Sequence, residues 1–99
     1  GGSPLDFACQ KGHLNVARVL LEKGGADVNQ ADDNGASPLL IVCCNDDIDV
    51  ATYLIDHGAD VNQSNDTGFT PLHVVCKRGH VDIAKRLLDE GADINRSMN

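Results

Sequence analysis

Aromatic residues are nearly missing from this 99-residue chain, which has one Tyr, two Phe and no Trp. Phe7, Tyr53 and Phe69 are the whole set, too few to build a base-stacking platform. Basic residues are also scarce: 8 Lys and Arg stand against 15 Asp and Glu, for a formal net charge of −7. Such a chain is repelled by phosphate backbones and anionic lipid, which argues against nucleic acid and membrane surfaces as partners. No apolar run approaches the roughly 18 residues of a membrane span, and no basic-then-apolar opening resembles a signal peptide. A glycine-rich phosphate loop is missing, as is any Ser or Cys nucleophile placed beside a His and a carboxylate. These absences point away from catalysis, and no cofactor or metal is expected.

What the chain has is repetition. Ser3-Pro4-Leu5, Ser37-Pro38-Leu39 and Thr70-Pro71-Leu72 recur at offsets of 34 and then 33 residues. Each segment later reaches a glycine and then Ala26 to Asn29, Ala59 to Asn62 or Ala92 to Asn95. Aligning residues 37–66 with 70–99 gives 13 identities in 30 positions. A period of this length marks a solenoid whose units bury their apolar faces only against one another. The chain therefore reads as a single domain, 1–99, with repeats at 3–36, 37–69 and a truncated 70–99.

Local signals give the shape of one unit. Thr70 suits an N-cap and Pro71 the first helical position, where its missing N–H costs nothing. The pattern predicts a helix from about Pro71 to Arg78 that stops at Gly79, and a second from about Val81 to Glu90 with Gly91 as its left-handed cap. The turn-forming run from Asp60 to Gly68 predicts an extended finger between units. Helices of two to three turns are unstable alone, so stacking must hold them. The same register predicts the core: Leu5/Leu39/Leu72, Ala8/Val42/Val75, Val16/Val50/Ile83, Ala17/Ala51/Ala84, Leu20/Leu54/Leu87 and Leu21/Ile55/Leu88.

Thr70-Pro71-Leu72-His73, Gly79-His80 and the run Leu87 to Asn95 resemble the ankyrin repeat, and Gly12-His13 and Gly58 to Asn62 carry the likeness into the other units. The resemblance implies an all-α solenoid of stacked helix–turn–helix layers joined by β-hairpin fingers, with a concave face that binds proteins without catalysis. Departures are local. Asp46-Asp47 replaces the Gly-His pair, Leu40 and Asp6 stand at the position of His73, and Gly24-Gly25 lengthens the first unit. Asp46 is expected to adopt a left-handed or slightly shifted turn, which Asp tolerates better than most residues. The first unit opens without a finger and the last stops at Met98-Asn99, where another finger is due. This reads as an excerpt of a longer array or as ends covered by a neighbouring domain; a self-contained three-repeat protein is the alternative. Uncapped ends also offer end-to-end self-association.

Cys9, Cys43 and Cys76 share one register and are expected to form a column of small buried side chains. Helices pack roughly 8–10 Å apart and a disulfide needs Cα atoms within about 7 Å, so a ladder of single cysteines forms neither a bridge nor a zinc site. That usage fits a reducing, intracellular compartment, cytoplasmic or nuclear. Cys44, one position further round the helix, is the candidate reactive thiol. His13 and His80 are expected to bond backbone at the inter-helix turns, His73 to bridge units, and His57 to favour a helix C-terminus. Asp46, Asp47 and Asp49 lack the spacing of a calcium loop and read as a solvated turn and helix start. Tyr53 is expected on a semi-buried outer face.

By the resemblance, partners meet the finger tips and the ends of the first helices. Carried over by position, these are Asp33, Asn34, Ala36, Asp66, Thr67 and Phe69 on the fingers, and Gln10, Lys11, Cys44, Asn45, Lys77 and Arg78 on the helices. Phe69 is either an anchor for a partner or a packing residue between fingers. Basic helix ends beside acidic fingers form either a bipolar steering surface or a solvated rim. Asn29 and Asn62 resemble positions hydroxylated in many ankyrin repeats, and both also have a structural duty in the finger. Two functions stay open: an interaction module that binds a protein or peptide on its concave face, or a docking segment of a larger enzyme, channel or effector.

Overall fold

The computed structural model describes residues 2–97; Gly1, Met98 and Asn99, including the expected start of a further finger, lie outside the described residues. Six helices follow one another in antiparallel pairs: α1 (Pro4–Lys11) with α2 (Leu14–Glu22), α3 (Pro38–Asn45) with α4 (Ile48–Asp56), and α5 (Pro71–Arg78) with α6 (Val81–Asp89). The first helices stack on one another, α1 on α3 and α3 on α5. The second helices form a parallel layer, α2 on α4 and α4 on α6. The stack measures 36 × 26 × 20 Å.

Each first helix starts and stops by the same device. Ser3, Ser37 and Thr70 accept the backbone N–H of Asp6, Leu40 and His73 at 3.1, 3.2 and 3.3 Å, and a proline follows every cap. These caps satisfy N–H groups that have no partner inside the helix. The exits are left-handed: Gly12 at φ 72°, Gly79 at φ 75° and, between them, Asp46 at φ 55°. Asp46 is the one non-glycine residue with positive φ among the described residues. The neighbouring Asp47 supplies what the His13 and His80 side chains do not, an N-cap bond from Val50 N–H at 3.1 Å.

Burial follows the stacking. In repeat 2, Leu39, Val42, Cys43, Val50, Ala51 and Leu54 are all fully buried, because this unit has a neighbour on both sides. Two positions expected in the core are not there. Val16 is 50% exposed, although its register-mates Val50 and Ile83 are fully buried, and Leu88 is 45% exposed where Ile55 is 6%. By register, Val16 lies on the side of the stack before repeat 1 and Leu88 on the side after repeat 3, where the described residues supply no further unit. Cys76 is exposed for the same reason as Leu88, so the expected buried column holds at Cys9 and Cys43 and ends there.

Polar bonds repeat at the junctions as well. Asn29 donates to Gly58 O at 3.1 Å and accepts from Asp60 N–H at 2.8 Å. Asn62 does the same toward Gly91 O and Asp93 N–H, at 3.5 and 2.8 Å. His73 bridges Thr70 N–H and Arg96 O, and His80 reaches back to Cys43 O at 2.9 Å. Among the described residues His13 meets no such carbonyl.

The β-hairpin character expected of the fingers is not visible as strands, since none forms among the described residues. Each finger tip is a tight loop closed by two backbone bonds: Asp32 N–H to Ala36 O and Gly35 N–H to Asp32 O, both 2.9 Å, in the first, and Asn65 N–H to Phe69 O at 2.9 Å with Gly68 N–H to Asn65 O at 3.0 Å in the second. The Asp32 carboxylate takes the N–H groups of Asn34 and Ala36, and the Asn65 carbonyl those of Thr67 and Phe69. These side-chain acceptors consume the donors a ladder would need. A single backbone bond, Asp66 N–H to Asn34 O at 3.0 Å, joins one finger to the next.

Two stability measurements test this account. Ile55→Ala is expected to cost about 2–5 kcal/mol in denaturant unfolding, and the register-equivalent Leu88→Ala about 1 kcal/mol or less. Equal losses would mean that stacking does not set the burial. Asp46→Gly is expected to stabilise by about 0.5–1 kcal/mol, since relief of the left-handed cost outweighs the added chain entropy. A fall in Tm would contradict that.

Candidate functional site

The first helices and the fingers leave register-equivalent cavities on one side of the stack. The larger, about 320 Å³, lies where repeats 2 and 3 meet and is floored by Leu40, Ile41 and Val74, with Cys44 beside them. Asn34, Ala36, Asn65 and Phe69 close it from the fingers, and Lys77 and Arg78 from the end of α5. Of the residues expected to contact a partner, Asn34, Ala36, Cys44, Phe69, Lys77 and Arg78 therefore line one cavity.

The rest are placed elsewhere. Gln10 lines the equivalent cavity one repeat earlier, and Asp66 and Thr67 line one on the far side of the second finger. Asn45 turns its amide to the carbonyls of Cys9 and Gln10, at 3.3 and 2.9 Å, and so ties α3 to α1. Lys11 and Asp33 are exposed and line none of these cavities.

Phe69 combines two roles. Its half-buried ring meets the His73 ring edge-on at 6.3 Å between centroids, and Lys77 Nζ lies 5.7 Å from its centroid. These contacts lie on α5, in the following repeat, and they hold the ring as a wall of the cavity. Lys77 over the ring face is a favourable cation–π placement.

Sequence reading missed the floor. Phe7, Ile41 and Val74 occupy one register on the first helices, apolar in all three repeats yet outside the predicted core. Phe7 is 59% exposed and Ile41 and Val74 are half-buried. An apolar column displaced from the core face was the available signal, because exposed apolar residues in a row mark contact surface.

The other face carries a structural cluster. Tyr53, expected to be semi-buried, is packed in: its hydroxyl donates to Glu22 at 2.6 Å, its ring stacks on His57 at 4.0 Å, and the Arg18 guanidinium lies 5.3 Å from its centroid. Burial, then the bond to Glu22, pushes the Tyr53 hydroxyl above its usual range. Arg86 pairs with Glu90 at 2.8 Å and with Asp56 of the preceding repeat.

Asp6 is unusual. It is 6% exposed, and one carboxylate oxygen accepts Ser3 N–H at 3.0 Å. The other, Oδ1, is buried without a hydrogen-bond partner among the described residues. Leaving a buried acceptor unpaired costs about 1–3 kcal/mol. No group of three or more His, Cys, Asp and Glu side chains among the described residues is placed to hold a metal ion.

A two-layer stack of short capped helices, with cavities between fingers and helix ends, defines a helical repeat scaffold. The chain belongs to the ankyrin repeat family: the family model, described as ankyrin repeats in three copies, matches residues 5–98. Repeats of this family are generally protein–protein interaction modules, and typically non-catalytic. A rice (Oryza sativa subsp. japonica) protein named probable E3 ubiquitin-protein ligase XBOS33 is 51% identical over 41 residues, 41% of this chain and 8% of that one. The human 2-5A-dependent ribonuclease is 41% identical over 51 residues, 50% of this chain and 7% of its own length. The chain thus spans less than a tenth of these curated relatives.

Burial separates the four free thiols into pairs. Cys9 is pushed up to about 12 by burial and then by the charges of Asp6 and Asp47, and Cys43 to about 12 by burial and then by Cys44. Cys44 and Cys76 are exposed. Because the thiolate is the nucleophile, iodoacetamide at neutral pH is expected to label Cys44 and Cys76 well before Cys9 and Cys43, which wait for unfolding or strongly alkaline pH. Peptide mass spectrometry reads the order, and even labelling of all four would refute the burial assignment.

Proposed function

We propose that this chain binds a protein or peptide segment along the finger-and-helix face, with the cavity between repeats 2 and 3 as its centre. The observation that carries this reading is that cavity: an apolar floor of Leu40, Ile41 and Val74, an aromatic wall at Phe69 and a basic rim at Lys77 and Arg78. Apolar floors with aromatic and arginine edges are what binding hot spots are made of. In an otherwise acidic chain the basic rim also favours a segment carrying an acidic group at that end. Four free thiols support a reducing compartment as its place of work. No helix among the described residues is long and apolar enough to cross a membrane.

A second reading rests on length. Both relatives are many times longer than the matched segment and are named as a ligase and a ribonuclease. The same face can therefore serve as the docking segment of a larger chain and take an intramolecular occupant. The exposed Val16 and Leu88 offer the stack ends to further repeats or to a second copy. Asn29 and Asn62 are proposed as hydroxylation sites. Both amides already bridge repeats, so modification requires the finger to open, and a +16 mass species on the native protein would reveal it.

The test compares the chain with a Phe69→Ala, Lys77→Glu, Arg78→Glu variant in affinity capture from lysate, after circular dichroism has shown both folded. Partners held by the parent and lost by the variant, with affinity down about tenfold or more for a lost hot spot, are the expected outcome. An unchanged partner set would remove this face from the function.

A further inference from the structure

The cavity between repeats 1 and 2 is built from the same register positions as the one between repeats 2 and 3, with different chemistry. It holds about 210 Å³ and is lined by Gly2, Asp6, Phe7, Gln10, Asp32 and Ile41. Position by position, Asp6 stands for Leu40, Phe7 for Ile41, Gln10 for Cys44, Asp32 for Asn65 and Ile41 for Val74. Ile41 lines both cavities, so they are neighbours along the first-helix layer. Both cavities have an apolar part, Phe7 and Ile41 in the first, but where the second adds a basic rim the first has two carboxylates.

Asp6 carries the argument. The equivalent positions hold Leu40, buried with no polar demand, and His73, whose two ring nitrogens are both partnered. Asp6 is as buried as a core residue, yet its Oδ1 has no hydrogen-bond partner among the described residues. Helix capping needs only the other oxygen, which takes Ser3 N–H. Asp32 holds the finger turn with one oxygen and adds its negative charge to the same cavity. Asp6 lines a cavity without a basic side chain, and its Oδ1 is buried and unpartnered, so a cationic donor that reaches it as the site adjusts would supply the missing hydrogen bond.

We propose that the cavity at Asp6 is a subsite for a Lys or Arg side chain of the bound segment, placed one repeat away from the apolar subsite at Phe69. This rests on the reading of the face as a peptide-binding surface. Neighbouring helices pack roughly 8–10 Å apart and an extended chain advances about 3.3 Å per residue. The ligand is therefore an extended segment with a basic residue and an apolar residue about three positions apart, in either chain direction, and with any acidic residue toward Lys77 and Arg78.

The probe is a set of fluorescein-labelled synthetic peptide pools, each with one fixed Arg and one fixed Leu at varied spacing, titrated by anisotropy. Matching pools replace Arg with norleucine. Binding is expected to be tightest near a spacing of three, and to weaken about tenfold on Arg→norleucine or on Asp6→Leu, which installs the residue found at position 40. On the Asp6→Leu protein, norleucine and Arg pools should bind alike. Asp6→Asn, which retains the capping acceptor, guards against loss of fold, and thermal melts verify both variants. If Phe69→Ala abolishes binding while the Asp6 variants and norleucine pools change nothing, the cationic subsite is wrong and the peptide-binding face stands. If Phe69→Ala leaves binding intact, that face itself is wrong. No binding by any Arg pool also overturns the subsite.

Discussion

Contact between successive repeats is what every other feature of this molecule depends on. A helix of eight or nine residues cannot nucleate and persist by itself in water. What holds α3 and α4 is the removal of Leu39, Val42, Val50, Ala51 and Leu54 from water on two sides at once. Each such aliphatic burial contributes about 1.5–3 kcal/mol for the larger side chains. Small residues make the approach close enough: Ala17 and Ala51 are fully buried at one register, where a longer side chain would hold the layers apart. The asparagine bridges then fix the angle between neighbours, since Asn29 and Asn62 each join a carbonyl and an N–H of the following unit.

The main cavity is a by-product of that packing. The floor of the main cavity comes from α3 and α5, its walls from two fingers, and its rim from the exit of α5, so residues 34 to 78 contribute to one hollow. Of the lining side chains, Leu40 is buried and Ile41 and Val74 pack against the core, while Asn34, Cys44, Lys77 and Arg78 are exposed and lie outside it. The framework can therefore keep one geometry while the lining varies, as Asp6 against Leu40 and Gln10 against Cys44 already do within this single chain. This is the physical sense in which function is grafted on the fold.

Much of this was legible in the residues because its causes are local. Caps at Ser3, Ser37 and Thr70, the proline after each, and the left-handed exits are decided within a few positions, and they set the helix boundaries correctly. The core register was legible wherever a repeat has neighbours on both sides. Val16, Leu88 and Cys76 were not, because their burial depends on a unit beyond them rather than on their own pattern. Turn composition gave the fingers but not their internal bonding, because it does not reveal that Asp32 and Asn65 take the N–H groups themselves. Six of the expected contact residues converge on one cavity, while its apolar floor was missed because Ile41 and Val74 resemble spare core positions.

The main cavity spans a junction, and that has a mechanical consequence. Asn34 and Cys44 sit on one rigid layer and Phe69 and Lys77 on the next, joined at the finger level by a single backbone bond. Solenoid curvature arises from small rotations summed over repeats. A load that straightens the stack draws the two walls apart, and one that bends it brings them together. The width of the hollow is thus a gauge of the curvature of the spring it is cut into, and grip on a ligand and stiffness of the array become the same property.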